Sequence, residues 1–471
     1  MSAAPAKMFS KHLHEKQAQT YAELLDRDSR PVPDHVRNFA GDGQLNGPTL
    51  VPTRWYTDPE LHKLEIEHLW KRKWQMACRA EHVCNVGDTF VYNVATLSFV
   101  IVRVSEDVVK GYWNSCLHRG VPLRQCAGRV DRLQCPFHGF TWNLNGENVL
   151  IPHPEEFPDI DQKNFNLPEV LVSEWNGFIF INPDLEAESL ESYLGPIDTY
   201  FAPYGLKDRE LTAHVVKEFP ANWKTLQESF LESFHVLTTH PQFAISNAGD
   251  RCSEFGYDGN VARGIVPMGT TSDYVAHTPD ESQIFPVMNE FWDDEDGPTN
   301  LPEGMSARQA YAQACRNAFV PIYGDKIESV SDAEMIDVFY FSVFPNFLPY
   351  SGYAAPLIYR FLPHGNDPEK SLMEIMFITP VVPGSEPKPL PKPIWLKEDQ
   401  EFTEVKELGS FASFISQDCD NLNGIMTGLR NNKTGVVHFA RKFESLIRRF
   451  YKLYEDALGL SAEAEIAALN R

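Results

Sequence analysis

Four residues could do chemistry together: Cys116 and His118 in "NSCLHRG", and Cys135 and His138 in "LQCPFHGF". Thiolates and imidazoles are metal ligands. Here they form two mixed pairs, Cys-x-His and Cys-x-x-His, separated by residues 119–134. A zinc finger places both cysteines before both histidines. The alternating order instead lets two loops, each giving one thiolate and one imidazole, close on a metal group from opposite sides. Gly120 and Gly139 follow the pairs closely and permit the tight turns this requires.

The ligand mix has an electrical consequence. Four thiolates around a diferric, two-sulfide core leave a net negative charge. Two thiolates and two neutral imidazoles leave none, so the core accepts an electron more readily and its potential rises. One iron holding both sulfurs and the other both nitrogens is the ligand set of a Rieske cluster. The competing readings are a structural zinc site and unconnected residues. Order, gap and paired glycines all favour the cluster. Cys126 lies inside the gap but outside the pattern and reads as a buried or bystander thiol.

A second constellation lies in "NWKTLQESFLESFHVLTTHPQ". Trp223, Leu226, Phe230, Phe234 and Leu237 step by three and four, which predicts one apolar stripe on a helix over 222–237. Glu228, Glu232 and His235 fall on a different face at i, i+4 and i+7. His240 lies five residues beyond His235, away from that face on a continuous helix. Pro241 pushes His240 out of helical geometry, so the helix is expected to end between the two histidines and let His240 fold back. Two histidines and one carboxylate make the facial triad of non-haem Fe(II), with positions open for oxygen. The plainer reading is a helix with one surface histidine and one capping histidine. The carboxylate must come from elsewhere. "FISQDCDNLNGIMTGL" offers Asp418 and Asp420 in a helical setting; two apart, they point differently, and only one would serve.

The elements that must position these groups change character along the chain. "DPELHKLEIEHLWKRKWQ" predicts a helix starting near Asp58-Pro59. Between about 85 and 185, "DTFVYNV", "SFVIVRV", "GYWNS", "RLQCPF" and "NGFIFIN" are short β-branched and aromatic runs, the pattern of a small all-β module. Residues 245–330 are rich in Gly, Asp and Pro, without clear periodicity until "SARQAYAQACRNAF"; such a length is more often a functional cover than a simple connector. Strands return in "MIDVFYFSVFPNFLPY", "AAPLIYRFLPHG" and "SLMEIMFITPVV", and a Pro-rich linker, "PGSEPKPLPKPIW", leads to a helical region at 397–460.

Composition narrows the functional classes. The chain has 471 residues, 43% hydrophobic and 23% charged, an ordinary globular balance long enough for more than one domain. Its net charge of −23 and lack of a basic run argue against nucleic acid. The most apolar stretches, such as "NGFIFINP" and "YAAPLIYRFLP", are short and broken by Pro or Arg, so no membrane span is expected. "MSAAPAKMFSKHLHEKQ" lacks the apolar core of a signal peptide. Eight cysteines are too sparse for a disulfide scaffold, and a cytoplasmic setting is expected.

Taken together, "VPTRWYTDPELHKLEIEHLWKRKWQ", "CLHRG…CPFHGFTWNLNG", the helix with two histidines and "QDCDNLNGIMTGL" resemble the large (α) catalytic subunit of the Rieske non-haem iron oxygenases, over nearly the whole chain. The resemblance implies an α+β fold: an all-β Rieske 2Fe-2S domain inserted in a helix-grip (START-like) catalytic domain with an antiparallel sheet. In these terms residues 1–50 are an N-terminal segment packing on the catalytic domain, 51–185 the Rieske domain and 186–471 the catalytic domain, with 245–330 either a lid or a subunit-contact insertion. By resemblance, Cys116, His118, Cys135 and His138 hold the cluster, and His235, His240 and Asp418 hold mononuclear Fe(II). Asp418 is preferred to Asp420 because its distance to "TGL" suits the family pattern. Glu232 matches the acidic bridge from the iron site to a Rieske histidine, His138, of a neighbouring subunit.

Two departures stand out. The bridge is Glu where many ring dioxygenases with β subunits carry Asp, which favours a homotrimer, or a multiple of three, without a β subunit. Ser229 stands where many relatives have Asn, leaving the polar lining of the iron pocket open. The implied activity is that of a terminal oxygenase: O2 and electrons from NAD(P)H, delivered by a flavin reductase with or without a ferredoxin, hydroxylate an apolar, aromatic substrate. Phe, Met, Tyr and Leu in "FYFSVFPNFLPY" and "MEIMF" suit such a substrate, though most would serve equally as strand core. The alternative within the class is a monooxygenase that removes O- or N-methyl groups or oxidises a choline- or carnitine-like quaternary ammonium, since aromatic cages bind such cations. From another class, the chain would be an electron-transfer Rieske protein without mononuclear iron.

Overall fold

The computed structural model describes residues 18, 20–41, 46–247, 249–290, 300–355, 357–386, 388–422 and 424–469. The stretch read above for a signal peptide lies outside them. The chain divides into two compact units. One comprises Pro59–Tyr193 with Leu362–Pro368; the other comprises the chain up to Asp58, Leu194–Phe361 and Glu369 onward.

The first unit opens with the expected helix, Pro59–Glu65, whose last turn widens to π geometry over Ile66–Trp70. A seven-stranded sheet follows in the order Gln75–Arg79, Phe178–Asn182, Glu169–Trp175, Val108–Trp113, Leu97–Ser105, Asp88–Val94 and Gly128–Arg129, every pair antiparallel. Three of these strands, Gln75–Arg79, Glu169–Trp175 and the two-residue Gly128–Arg129, had no counterpart in the sequence reading. Every residue of the first is buried, so it shows no alternation, whereas the second carries two glutamates. A small sheet of Leu133–Gln134, Thr141–Trp142 and Asn148–Leu150 completes the unit. Val100, Tyr112, Leu133, Phe140 and Trp142 pack around Cys116 and Cys135 in one core.

The second unit is built on an eight-stranded sheet. Its order is Glu254–Asp258, Val261–Val266, Val338–Val343, Phe347–Ser351, Leu357–Pro363, Ser371–Pro380, Arg209–Phe219 and Ile394–Leu396. The first five run antiparallel to one another, as do Ser371–Pro380 and Arg209–Phe219; the edge strand Ile394–Leu396 is parallel to its neighbour. The hairpin 254–266 lies in the part of 245–330 where the sequence shows no clear periodicity. It belongs to the central sheet, and Val261–Val266 is buried throughout, which again removes the two-residue alternation. Two helices follow within the same stretch, Glu281–Asn289 and Ala307–Tyr323, the latter started by a Ser306/Gln309 capping box. The helix Ser445–Leu458 buries Leu446, Ile447, Phe450, Tyr451 and Tyr454 along one stripe. The N-terminal segment is tied to the Asp332–Asp337 stretch: Tyr21 Oη donates to Asp337 at 2.8 Å and the Ser29 amide to Asp332 at 2.7 Å.

Three neighbouring strands share a buried ionic cluster. Arg360 Nε donates to Glu374 Oε2 at 2.8 Å, its Nη2 binds the same oxygen, and His214 Nε2 lies 3.7 Å away. Burial alone would raise the Glu374 carboxyl, but Arg360 first and His214 next outweigh it and hold the group at about 2, below the ordinary 4.5. A depressed carboxylate of this kind contributes stability above pH 4.5 and loses it as pH falls toward 2. Arg360→Met strips Glu374 of its main counter-ion inside the sheet. We predict a loss of about 3–5 kcal/mol at pH 7, read as a lower urea midpoint, with acid unfolding starting at a higher pH. An unchanged midpoint and acid limb would show that the pair does not support the sheet.

Candidate metal centres

The two Cys/His loops have the same backbone. The Gly120 amide donates to the Cys116 carbonyl at 2.8 Å, and the Gly139 amide to the Cys135 carbonyl at 3.1 Å. The Cys116 and Cys135 amides in turn bond to the carbonyls of Val121 and Phe140, at 2.9 and 2.8 Å. Both glycines sit at φ +80°, where a side chain is strained. This pairing turns both thiols inward, where both cysteines are buried, and brings the imidazoles of His118 and His138 to 4.8 Å between ring centroids. Burial, with Cys135 alongside, pushes the Cys116 thiol up, so ligation must draw off its proton. His118 Nδ1 is buried without a hydrogen-bond partner, which is the state of a ligating nitrogen whose metal is its partner. The donor set therefore fits a cluster that takes two sulfurs and two nitrogens. His138 is exposed, and beside it Phe137 is 54% exposed. Cys126 is exposed, not buried, so of the two roles read for it only that of a bystander stands.

The second constellation is not one continuous helix. Asn222 caps Trp223–Ser229 through its side chain, and that helix stops at Phe230. A second, four-residue helix, Val236–Thr239, lies between His235 and His240. Glu228 and Glu232 therefore do not share a face, and the physical reason lies in their partners. Glu228 is half-buried, taking hydrogen bonds from Tyr56 Oη at 2.9 Å and from Tyr451. Glu232 turns back to accept the His235 amide at 3.0 Å, a carboxylate placed at the start of the short helix. His240 leaves helical geometry at φ −122°, ψ 57°, as Pro241 requires.

This break brings the ligands together. His235 Nε2 lies 3.2 Å and His240 Nε2 2.7 Å from Asp418 Oδ1, and the donor atoms of the three residues all lie within 4.8 Å of one another. Asp418 comes from the helix Phe411–Leu422; Asp420, two residues on, is exposed. The outer nitrogens are tied down: His235 Nδ1 to Glu232 Oε1 at 2.6 Å, and His240 Nδ1 to Gln417 Oε1 at 2.7 Å. Each tie engages Nδ1 and turns Nε2 toward Asp418. Burial disfavours charge on His235, but Glu232 and Asp418 overcome it and raise its pKa to about 10. Asp418 is buried too, yet its bonds to the two histidines hold it below the usual carboxylate range. A proton thus occupies the place a cation would take.

A cavity of about 170 Å³ opens against the three ligands, walled by Phe230, Tyr340, Tyr350, Tyr359, Phe243 and Phe414. Gly264 makes room for one wall: a Cβ there would come within 2.4 Å of the Tyr340 ring. Tyr340 and Tyr350 come from "FYFSVFPNFLPY", as the sequence suggested. None of Met373–Phe377 lines this cavity, because that strand pairs with Arg209–Phe219 and carries the Glu374 cluster. Ser229 reaches the cavity, but its hydroxyl bonds the Thr225 carbonyl at 3.3 Å. Sequence reasoning missed Gln417 and Asn247. Gln417 directly precedes Asp418, and that adjacency is the one signal that could have found it.

Comparison with known proteins adds the family. Residues 73–168 match the Rieske [2Fe-2S] domain and residues 206–460 the ring hydroxylating alpha subunit catalytic domain. The carnitine monooxygenase oxygenase subunit of Acinetobacter pittii is 30% identical over 203 residues, 42% of this chain and 55% of that protein. The anthranilate 1,2-dioxygenase large subunit of Acinetobacter baylyi is 28% identical over 194 residues, 39% of this chain and 41% of that one. The chain thus spans about half the length of the curated relatives it matches. Among solved structures, a quaternary ammonium Rieske monooxygenase with L-carnitine superposes with a TM-score of 0.61 at 19% identity, over 88% of this chain and 96% of that one. Naphthalene 1,2-dioxygenase with indole gives 0.60 at 19%, over 90% and 97%. With the site residues grouped as above and the catalytic model covering more than half its length, the chain belongs to the Rieske non-haem iron oxygenase large-subunit family.

Proposed function

We propose that this chain is the terminal oxygenase component of a Rieske system, hydroxylating an apolar, aromatic substrate with O2 and reducing equivalents from NAD(P)H. The observation that carries this reading is the convergence of His235, His240 and Asp418 on one point of an aromatic-walled cavity, in a chain that also bears the paired Cys/His loops. Cys116, His118, Cys135 and His138 would hold the 2Fe-2S cluster, and His235, His240 and Asp418 the mononuclear iron. When bound, the cluster supplies single electrons and the iron activates dioxygen.

The chain's own residues orient and shield. Glu232 and Gln417 fix the imidazoles through their outer nitrogens, and the aromatic wall keeps water from the reacting face. Glu232 also supports a route between centres of neighbouring copies: its carboxylate already holds His235, and His138 stands exposed for such a contact. That arrangement favours a cytoplasmic homotrimer, or a multiple of three, served by a reductase or ferredoxin, with a β subunit less favoured. Among the described residues no helix is long and apolar enough to cross a membrane. Within 245–330, the two helices beyond the hairpin are the part that could serve as a lid or subunit contact. A second reading, oxidation of a quaternary ammonium compound, has one observation in its favour: Tyr340, Tyr350 and Tyr359 line the cavity as an aromatic cage would.

Four outcomes test the assignment. The protein purified anaerobically should hold about three irons per chain. Asp418→Ala should lose about one of them and keep the cluster's visible spectrum, whereas Asp420→Ala keeps all; metal analysis giving the reverse would exchange the two aspartates. Glu232→Gln should retain both metals and a reducible cluster but lower turnover by ~10–100-fold; near-normal turnover would remove Glu232 from the route. Finally, the His235 proton, held up to about pH 10, must leave when iron enters. Anaerobic Fe(II) titration of cluster-loaded protein lacking mononuclear iron should show affinity rising about tenfold per pH unit between pH 6.5 and 8.5, with proton release. A pH-independent affinity would contradict the protonated triad.

A further inference from the structure

The cavity against the iron ligands does not stand alone. A second cavity of about 340 Å³ lies behind it in the same unit, and the two share Asn247, Val338, Tyr350, Leu357 and Phe411 as walls. One layer of side chains at most separates them. An apolar cavity of about 150 Å³ takes up one benzene ring. By that measure the inner chamber of about 170 Å³ holds a single ring, and the outer one holds about two more.

The outer chamber is walled mainly by Met268, Tyr311, Phe319, Met335, Ile336 and Leu357, and it opens to solvent beside Ala318 and Ala354, both exposed. Its charged groups are already matched. Asp337 binds Arg308 at 2.8 Å and also takes hydrogen bonds from Tyr21 and the Met268 amide. Glu334 accepts the Ser331 hydroxyl at 2.7 Å, with His35 at 3.7 Å. Among the described residues lining either chamber there is no Lys or Arg, so away from His235, His240 and Asp418 a substrate carboxylate would meet no basic side chain. In the outer chamber two polar atoms are left over. Ser351 is 3% exposed and its Oγ has no hydrogen-bond partner; Asn247, at the shared wall, has a buried Oδ1 without one. A buried polar atom of this kind gains from a ligand that satisfies it.

We propose that both chambers form one substrate site for an uncharged, elongated molecule of about three fused or linked rings. Its reacting end fills the inner chamber, and one hydroxyl group accepts from the Ser351 hydroxyl and donates to Asn247 Oδ1. This inference rests on the oxygenase reading above.

The test uses iron-loaded holoprotein and equilibrium dialysis with phenol, 4-phenylphenol, 9-phenanthrol and phenanthrene. Biphenyl-4-carboxylate and benzyltrimethylammonium serve as charged probes. The expected result is at least ~10-fold tighter binding of 9-phenanthrol than of phenol, from the added ring area buried. Ala318→Trp, at an exposed helix position over the mouth, should remove that advantage and leave phenol unchanged. Ser351→Ala should cut the preference for 9-phenanthrol over phenanthrene by about five- to tenfold. Phenol binding as tightly as 9-phenanthrol, a preference unmoved by either variant, or tighter binding of a charged probe than of 4-phenylphenol would overturn the proposal. Mononuclear iron, and single-turnover dioxygen uptake after reduction of the cluster with dithionite and removal of excess reductant, are measured on the same preparation. Their absence sinks the oxygenase reading, whereas their presence without the size preference sinks only this inference.

Discussion

Two hydrogen bonds decide which nitrogen each histidine presents to Asp418. Glu232 holds Nδ1 of His235 and Gln417 holds Nδ1 of His240, and with either tie released an imidazole could turn its other nitrogen or its carbon edge inward. The surrounding structure serves these two bonds. Glu232 reaches His235 because the chain breaks at Phe230 and restarts at Val236. Gln417 and Asp418 arrive together on the helix Phe411–Leu422, so one element supplies both the carboxylate facing the two histidines and the group that orients His240. A carboxylate buried beside two imidazoles is costly unless a cation completes it. In the metal-free protein a proton on His235 takes that part.

The Cys/His unit solves a similar problem by repetition. Each loop closes on itself through a glycine amide and a cysteine amide, so both thiols are held at the same depth by backbone alone. Side chains are then free for other work: His118 stacks on Phe140, and Phe137 and His138 face outward. A rigid backbone cradle suits a centre that must change charge without moving its ligands.

The broken helix shows where local patterning misleads. Trp223, Leu226, Phe230, Phe234 and Leu237 have helical spacing, yet Phe234 is exposed and stacks on Phe443. Glu228 looked like a neighbour of Glu232, but it is drawn into the core by tyrosines from opposite ends of the chain, Tyr56 and Tyr451. No local rule contains those partners. Two of the strands that were missed, Gln75–Arg79 and Val261–Val266, are buried along their whole length, and an alternation test cannot see a strand without a polar face.

What the sequence determined by itself was chemistry carried by local order. The Cys-x-His and Cys-x-x-His pairs with their glycines needed no distant partner to be legible, because ligands and turns lie within a few residues of one another. Pro241 likewise announced the departure of His240 from the helix. Tertiary structure alone brought Asp418 against both histidines while leaving Asp420 exposed, placed Gln417 behind His240, and set a second chamber behind the first through Asn247 and Ser351. Each of these depends on segments well over a hundred residues apart in sequence or on side chains from several strands. Such contacts are set by how the sheet and helices pack, and no local window of the sequence contains them.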